Sequence, residues 1–324
     1  MHIVTGTNIY EVILDTSIVT IGNFDGVHRG HEEIFRHLKQ KSVERGIPSV
    51  VVTFEPHPLK VLAPESAPLL ITTFEQKAAL IDKSGIDYLF VVPFSREFSR
   101  LSAHDFVLNI LCRSLGMIHI IIGHDYAFGR GREGNFATLE NLGALHGFTL
   151  EDLPPLGEQG VVFSSSLVRS AVIDGDMPAA SRILGRCYQI SGTVVHGRNV
   201  GQGLGFPTAN IATHNELIPA DGVYAVQVEV DGTVVKGACN IGCNPTFGGE
   251  IRSIEVFLLD FSGSIYDKEV TVQFVQRLRP VLRFADVDAL KNAISQDVAQ
   301  VRTILDSVNT HCLNIFGRLE PCAL

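Results

Sequence analysis

The chain has 324 residues, 45% hydrophobic and 19% charged, a composition typical of a globular protein long enough to bury two cores. Its net charge of −9 argues against a broad nucleic-acid-binding surface, which requires a basic excess. No apolar stretch approaches the ~20 residues of a membrane helix, and we expect no signal peptide. The six cysteines lack a complete zinc-site spacing, and we expect them to be reduced thiols. Together these features predict a cytoplasmic protein that binds neither membrane nor nucleic acid.

Sequence patterns typical of strands and of helices alternate from residue 18 to about residue 180. Short apolar runs are separated by stretches with helical periodicity, and several of those stretches end in glycine, which is typical of a helix C-terminus. The apolar runs are PSVVVTF at 48–54, DYLFVVPF at 87–94 and MIHIIIG at 117–123. This alternation predicts a Rossmann-like α/β domain with a parallel sheet covered on both faces, whose ligands bind beyond the carboxyl ends of the strands.

The pattern changes near residue 185 to short strands and tight turns. Asp231-Gly232 lies between two alternating runs and is a strong hairpin signal. Short strands joined by glycine turns predict a small closed β-barrel, followed by a C-terminal helix with Asp286 at its N-cap. We predict an α/β domain at 1–184, a barrel domain at 185–307 and a tail of unknown role at 308–324.

The turn between the first buried strand and the first helix, IGNFDGVHRGH at 21–31, is the densest motif of the N-terminal half. His28 and His31 lie one helical turn apart and therefore point the same way. A helix N-terminus binds anions, and the glycines let a phosphate approach the backbone closely. We interpret the motif as a polyphosphate site, in preference to two surface histidines or to a zinc pair without a third ligand nearby.

A second glycine motif, GRGREG at 129–134, formally matches the dinucleotide-binding fingerprint G-x-G-x-x-G. It follows a predicted strand, precedes a helix and has Glu151 about twenty residues downstream. An NAD-dependent enzyme is therefore an alternative. We rank it lower because charged residues crowd the turn and the fingerprint normally follows the first strand of its unit.

The C-terminal half contains the glycine-rich segment HGRNVGQGLGFPTAN at 196–210, and the chain has no Walker lysine motif. ATP phosphates would therefore be held by backbone N–H groups of this loop. Thr208 and Asn210 lie two apart on an extended segment and share a face, so their oxygens suit Mg²⁺. The alternative is a glycine-rich barrel corner with ordinary polar side chains.

Glu255 interrupts the apolar strand SIEVFLLDF at 253–261. One face of this strand is aliphatic, and Glu255 shares the other face with Phe257 and Leu259. Burying a carboxylate among apolar residues costs free energy unless it has a partner or a function. One interpretation is therefore that Glu255 acts as a general base. The alternatives are an edge-strand glutamate in solvent and an ion pair with Arg252.

These motifs resemble one known family, the bacterial bifunctional riboflavin kinase/FAD synthetases, whose adenylyltransferase half is a nucleotidylyltransferase. The likeness is collinear from about residue 17 to 306. In the first half it rests on TIGNFDGVHRGH at 20–31, TFEPHP at 53–58, GHDYAFGRGREG at 123–134 and SSSLVR at 164–169. In the second half it rests on LGRCYQISGTVVHGRNVGQGLGFPTAN at 184–210, NIGCNPTFGG at 240–249 and IEVFLLDF at 254–261.

The resemblance implies that the barrel transfers phosphate from ATP to riboflavin, giving FMN and ADP. It implies that the α/β domain then transfers AMP from ATP to FMN, giving FAD and pyrophosphate. Mg²⁺ is the implied cofactor, and a homo-oligomer is left open.

The resemblance also implies residue roles. The catalytic groups of the α/β domain would be His28, His31 and Arg169. Its nucleotide contacts would be Gly22, Phe24, Asp25, Gly26, Ser164, Ser165 and Ser166, and its flavin contacts Phe54, Pro56, His57, Pro58, Asp125 and Phe128. In the barrel, Glu255 would take the proton of the ribityl 5′-hydroxyl and Thr208 and Asn210 would bind Mg²⁺. The ATP contacts of the barrel would be Gly197, Arg198, Gly203, Gly205, Asn244 and Thr246.

The chain departs from the usual family pattern at Glu55, Ser166, Leu167 and Asp267. The changes in the serine motif support a further hypothesis, a kinase of single activity whose first domain has lost its chemistry. A non-catalytic barrel that grips single-stranded nucleic acid is another hypothesis, which the acidic charge and the absence of tryptophan oppose.

Overall fold

The computed structural model describes residues 1–5, 13–123, 126–197, 203, 205–246 and 249–307. The chain divides into two compact units, Met1–Ser165 and a second unit that begins at Ser166. This division precedes the predicted boundary at residue 184 because two helices that follow Ser165 associate with the barrel strands. Within the described residues, no helix is long and apolar enough to cross a membrane.

A six-stranded parallel sheet forms the centre of the first unit. Its strands lie in the order β1 (His2–Thr5), β4 (Tyr88–Pro93), β3 (Ser49–Glu55), β2 (Ser17–Ile21), β5 (Met117–Gly123) and β6 (Thr149–Leu153). Every pairing in it is parallel. The central strands are buried valine and isoleucine runs, because helices cover both faces of the sheet. The predicted parallel α/β fold is confirmed.

Alternate strand residues point into two separate cores, one on each face of the sheet. One core packs against α1 (Arg29–Arg45) and α3 (Phe74–Lys83). The other packs against a π-helix (Phe106–Ser114) and α5 (Phe136–His146). The shorter elements of this unit are α2 (Pro58–Leu62), α4 (Ala103–Asp105), the hairpin strands β7 (Gly157–Glu158) and β8 (Val161–Val162), and 3₁₀ turns at Pro64–Ser66, Phe98–Arg100 and Arg130–Arg132.

Six antiparallel strands close a barrel in the second unit. Around the barrel they are β9 (Tyr188–Val195), β10 (Thr208–Thr213), β13 (Gly249–Leu258), β12 (Thr233–Thr246), β11 (Gly222–Val230) and β14 (Glu269–Arg279), which returns to β9. Asp231 and Gly232 form the predicted hairpin turn, with φ of 50° and 74°. The predicted closed barrel is confirmed.

Helices precede and follow the strands of the barrel unit. The C-terminal helix α8 (Val287–Ser307) packs on the outer surface of the barrel through Val301 and Leu305. The Asp286 carboxylate accepts the N–H of Ala289 at 2.8 Å, as expected of an N-cap. Helix α6 (Ser165–Asp174) begins at the junction of the two units, and α7 (Met177–Leu184) packs against β9 and β14.

Candidate active sites

The histidine turn lies where the strand order of the parallel sheet reverses. The chain leaves β2 toward β3 on one side of the sheet, and β5 lies on the other side of β2. The crevice beyond the carboxyl ends of strands at such a reversal is the usual ligand site of an open α/β sheet. Residues 22–28 follow β2 into this crevice, and Tyr126 and Phe128 follow β5.

His28 and His31 are brought together as predicted. Their rings stack with centroids 3.6 Å apart and planes inclined by 22°. His28 is buried and is the N-cap residue of α1, and its carbonyl accepts the N–H groups of His31 and Glu32. Both imidazoles therefore stand at a helix N-terminus, where free N–H groups and the helix dipole favour an anion.

Close packing explains the glycines of this turn. A Cβ at Gly22 would lie 2.8 Å from the Phe24 ring, and a Cβ at Gly30 would lie 3.1 Å from two atoms of the His28 ring. Phe24 and Val27 have φ of 50° and 40°, a left-handed conformation that is strained for such side chains. Strain of this kind concentrates at ligand sites, where the surrounding structure holds it in place.

Asp25 is buried, and its carboxylate accepts hydrogen bonds from within the protein. It accepts the N–H groups of Ile71 at 3.0 Å and of Thr72 at 3.3 Å. The Ser165 hydroxyl donates to the Asp25 carbonyl at 2.9 Å. Asp25 therefore holds residues 71–72 and the start of the serine motif against the histidine turn, and its predicted nucleotide contact stays a prediction.

Lys77 is a buried cation that the sequence reasoning missed. Its Nζ lies 3.4 Å from Thr53 Oγ1 and 3.7 Å from a Glu55 carboxylate oxygen, at the carboxyl end of β3. Burial lowers the pKa of the Lys77 ammonium, and the charges of Glu55 and Asp25 oppose that shift. Its position on the same helix face as Leu80 and Ile81 was a signal that it would be buried.

Aromatic side chains cluster at the carboxyl ends of β3, β4 and β5. Phe54 contacts Phe94 and Phe106, and Phe128 contacts Phe106 and stacks on Tyr126 with centroids 5.8 Å apart. The structure thus brings together Phe54 and Phe128, both predicted to contact flavin, and adds aromatic neighbours that no sequence pattern indicated.

The remaining predicted flavin contacts lie close to β3. Pro56 follows a cis peptide bond and is exposed, whereas His57 and Pro58 are half-buried. The His57 Nδ1 accepts the N–H of Leu59 at 3.2 Å, so this histidine caps α2. Asp125 lies outside the described residues.

The GRGREG segment does not form a dinucleotide-binding turn. Phe128 and Gly134 exchange both backbone hydrogen bonds, at 3.0 and 2.9 Å, which closes the segment into a loop. Helix α5 starts only after this loop, with Asn135 as its N-cap. The Glu151 carboxylate, which the fingerprint would direct to a ribose, lies 3.7 Å from Lys41 and 3.6 Å from His119. The geometry does not support the NAD alternative.

Glu255 lies on the middle strand of a three-stranded part of the barrel. It is directly opposite Asn210 on β10 and Asn240 on β12, and Thr208 is opposite Phe257. Because opposite residues share a face, Thr208 and Asn210 lie on one face, as predicted, and the strand register places Glu255 on that same face. Strand β13 is paired on both sides, so Glu255 is not on an edge strand.

Arg252 does not compensate Glu255. Its guanidinium binds Asp221, at 2.9 and 2.7 Å, so the predicted alternative of an ion pair with Glu255 is wrong. The Ser253 hydroxyl donates instead to the Glu255 carboxylate at 3.3 Å. The aliphatic residues of this strand are buried inside the barrel, which leaves Glu255 on the outer face.

A cavity of about 300 Å³ adjoins Glu255 on that outer face. The barrel supplies one wall, which includes Thr208, Glu255 and Phe257. The segment after β14 and helix α8 supply the opposite wall, and its apolar members are Val281, Leu282, Phe284, Leu290 and Ile294. A concave, largely apolar cavity with a few polar groups is the usual form of a small-molecule site.

An ion pair fixes the wall opposite the barrel. Arg279 at the end of β14 donates to the Asp297 carboxylate at 2.9 and 2.7 Å, and Asp297 is buried. The Arg279 guanidinium also lies 5.7 Å from the Phe284 ring centroid. The pair ties α8 to the barrel, and none of these residues was identified from the sequence.

Comparisons with known proteins match the two halves of the chain to two different enzyme families. Residues 11–167 match the family model of FAD synthetase, and residues 184–305 match that of riboflavin kinase. The bifunctional riboflavin kinase/FMN adenylyltransferase of Pseudomonas fluorescens is 43% identical over 288 residues, which cover 89% of this chain and 92% of that protein. The protein of the same description from Escherichia coli K12 is 37% identical over 91% of this chain and 95% of its own length.

The chain belongs to the bifunctional riboflavin kinase/FMN adenylyltransferase family. The predicted family and its two transferase activities, riboflavin kinase and FMN adenylyltransferase, are confirmed at the level of the family. A solved structure from Streptococcus pneumoniae, described as a macrolide-efflux protein, is 30% identical, with a TM-score of 0.86 over 93% of this chain and 99% of that one.

The structure describes part of the glycine-rich loop that the riboflavin kinase resemblance assigns to ATP. A Cβ at Gly197 would overlap the Asn210 side-chain amide, so a larger residue at the start of the loop would displace that side chain. Gly205 has φ of 88°, and Gly203 is exposed. Arg198 lies outside the described residues. Asn244 and Thr246 are in the ladder of β12 with β13.

The departures from the family pattern lie at three places in the fold. Asp267 has φ of 64°, the left-handed conformation that glycine adopts without strain. Ser166 and Leu167 are exposed in the first turn of α6, and Arg169 is half-buried on the same helix. Glu55 ends β3 and faces Lys77. Among the described residues no group of three His, Cys, Asp or Glu side chains could hold a metal ion.

Proposed function

We propose that the histidine turn of this family member transfers AMP from ATP to FMN. The observation that carries the assignment is the stacked His28–His31 pair on the N-terminus of α1, at the reversal of the strand order. The FMN phosphate is already an anion, so the reaction needs no general base. The two imidazoles and the helix N–H groups stabilise charge that develops on the α-phosphate and on the leaving pyrophosphate.

Serine hydroxyls and an arginine complete this proposal on the strength of the family resemblance. Ser164, Ser165 and Ser166 bind ATP phosphates, and Arg169 clamps a phosphate with paired N–H donors. The hydrogen bond from Ser165 to the Asp25 carbonyl supports the place of the first two serines beside the histidine turn. The aromatic cluster around Phe54 and Phe128 binds the flavin ring.

We propose that the barrel phosphorylates riboflavin at its ribityl 5′-hydroxyl. That hydroxyl is neutral and must lose a proton as it attacks the γ-phosphate, and Glu255 accepts this proton. The apolar cavity beside Glu255 binds the flavin ring and directs the ribityl chain toward the carboxylate. ADP leaves, and the backbone N–H groups of the glycine-rich loop orient the phosphates of ATP.

The polar groups beside Glu255 fit Mg²⁺. A hydroxyl from Thr208 and an amide oxygen from Asn210 are hard oxygen ligands on the face that Glu255 occupies. The close contact of Gly197 with Asn210 supports this fit, since it brings the start of the phosphate loop beside one of the two ligands. When bound there, Mg²⁺ would neutralise negative charge on the phosphates.

The proposal extends to the protein as a whole. The functional domains are residues 1–184 and 185–307, and the small molecules handled are riboflavin, FMN, FAD, ATP, ADP and pyrophosphate. The protein is cytoplasmic in this proposal, and its net charge of −9 supports an enzyme without a nucleic-acid or membrane partner.

A time course with purified protein, riboflavin, ATP and Mg²⁺, followed by chromatography of the flavins, tests both reactions. We expect FMN first and FAD afterwards. FMN without FAD would favour the kinase of single activity.

Two variants test the division of labour. Replacing both His28 and His31 with alanine should abolish FAD formation and spare FMN formation. Glu255→Gln should lower FMN formation by roughly 10²–10⁴-fold and spare the conversion of supplied FMN to FAD. A folded variant that lost both activities would contradict the assignment of the two sites.

A further inference from the structure

Arg29 lies between the two histidines of the signature turn, and the proposed chemistry does not use it. It is the first residue of α1. Its guanidinium forms an ion pair with the Glu158 carboxylate and lies 4.9 Å from the centroid of the Phe163 ring. Both partners are far along the chain, so these contacts join the histidine turn to a distant segment.

The joined segment is a hairpin that leads into the serine motif. Strands β7 and β8 are connected by a tight turn in which Gln159 and Gly160 have φ of 52° and 80°. Phe163 follows β8, is buried, and donates its N–H to the Leu156 carbonyl at 2.9 Å. Ser164 and Ser165 come next, so the position of this hairpin sets where the serine motif begins.

The two strands of the hairpin contribute no buried side chain. All four residues of β7 and β8 are exposed, including Val161 and Val162, which are 52% and 49% exposed. Its attachments to the histidine turn include polar and cationic contacts: Arg29 to Glu158, Arg29 over Phe163, and Ser165 to the Asp25 carbonyl. Arg29 takes part in two of these contacts.

We propose that Arg29 is a positioning residue for adenylyl transfer. It holds the hairpin of residues 157–162, and with it Ser164 and Ser165, against the histidine turn. ATP can then contact the histidines and the serines at the same time. The inference rests on the proposed role of the histidine turn, and it adds to that role a residue that acts through the hairpin and not on the substrate.

A competing explanation is that Arg29 binds a phosphate of ATP directly and that Glu158 shields it. The two explanations differ in the effect of Glu158. If Arg29 positions the hairpin, removing the Glu158 charge weakens the attachment and raises the KM for ATP. If Arg29 binds phosphate, the same change removes a competing anion and leaves the KM for ATP unchanged or lower.

The test uses the full-length chain and measures FAD formation from FMN and ATP, with kcat and KM separated. Arg29→Gln loses the ion pair and the cation–π contact, and we expect the KM for ATP to rise about tenfold. Glu158→Gln loses only the ion pair, and we expect a rise of about threefold. The double variant should be no worse than Arg29→Gln, because the two residues act through one contact. The charge swap Arg29→Glu with Glu158→Arg should recover the Glu158→Gln level.

Arg36→Gln is the matched control. Arg36 lies on the same helix and forms an exposed ion pair with Glu33 at 2.7 Å, but this pair joins no second segment. We expect its KM for ATP in FAD formation to equal that of the wild type. Riboflavin phosphorylation by each variant shows that the barrel unit is folded, and urea unfolding of each variant shows whether the first unit is folded as well.

Hydrogen exchange of residues 157–163 tests the attachment without any activity. We expect exchange there to be about tenfold faster in Arg29→Gln, and about threefold faster in Glu158→Gln, than in the wild type. Unchanged exchange in both variants overturns the proposal, and so does a Glu158→Gln variant whose KM for ATP is unchanged or lower. If the wild type makes no FAD and exchange still accelerates as expected, the attachment stands and the proposed function of the histidine turn fails.

Discussion

Gly30→Ala perturbs the histidine pair without removing either imidazole. Gly30 is the second residue of α1, and its φ is not in the left-handed region, so alanine fits the backbone there. Alanine is favoured over glycine inside a helix by roughly 0.5–1 kcal/mol. By local propensity alone, the substitution should therefore stabilise the first unit.

The added methyl group meets His28. It would lie 3.1 Å from Cε1 and Nδ1 of that ring, whereas carbon atoms in comfortable contact are about 3.5–4.0 Å apart. The ring must shift by a few tenths of an ångström, although it is buried and stacked on His31. The gain in helix propensity and the packing cost offset each other, so we expect the free energy of unfolding to change by less than about 1 kcal/mol. Displacing a group that we propose acts at the reacting phosphate should still lower FAD formation roughly 10–100-fold.

The assay measures FAD formation from FMN and ATP, riboflavin phosphorylation, and urea unfolding of the same preparation. Val43→Ala is the control, because Val43 is 71% exposed on the same helix. This substitution also raises helix propensity, but at a position away from the histidines. We expect the control to keep both activities. A Gly30→Ala variant of normal stability and undiminished FAD formation would refute the argument that the position of the His28 ring sets the rate.

Three further predictions concern stability and the barrel cavity. Burial would raise the pKa of the Asp87 carboxyl, but hydrogen bonds from Lys39 and Ser49 outweigh it and hold this pKa at about 2. Asp87 therefore stabilises the fold above its unfolded pKa of 3.8 and loses this effect as pH falls toward 2. Asp87→Asn should lower the free energy of unfolding by about 1 kcal/mol at pH 7, measured by urea unfolding. In this variant the free energy of unfolding should also fall less steeply as the pH is lowered. Asp267→Gly should raise the free energy of unfolding by up to about 1 kcal/mol, because it relieves a left-handed aspartate; an unchanged urea midpoint would contradict this. Asp297→Asn weakens the ion pair in the cavity wall and should raise the KM for riboflavin about tenfold, with FAD formation from supplied FMN as the unaffected control.

The parts of both sites that follow from local periodicity could be predicted. His28 and His31 are three residues apart at a helix start, so the helical repeat alone brings their rings to one side. The repeat of two in a strand likewise separates Glu255 from its aliphatic neighbours. The turn at Asp231-Gly232 was predictable because its backbone conformation favours those two residue types.

Contacts between distant segments had no such signal. The pairing of Glu255 with Asn240 depends on the strand register, and the cavity wall around Phe284 depends on how α8 folds back on the barrel. The ion pair of Arg29 with Glu158 joins residues 129 positions apart. The segment 102–116 has the apolar repeat of an α-helix, yet most of it is a π-helix, in which Leu115 bonds to the carbonyl of Ile110.

The placement of carboxylates agrees with the different needs of the two proposed reactions. Adenylyl transfer joins two anionic substrates, so an uncompensated carboxylate at the histidine turn would repel both of them. Asp25 lies in that turn, but its charge is directed to backbone N–H groups of residues 71–72, and the buried Lys77 ammonium acts on it electrostatically. Riboflavin phosphorylation starts from a neutral hydroxyl and requires a proton acceptor. Glu255 accordingly faces a cavity, and the nearest arginine in sequence is bound to Asp221. The electrostatic arrangement therefore supports the proposal that the barrel supplies base chemistry and the parallel sheet stabilises anions.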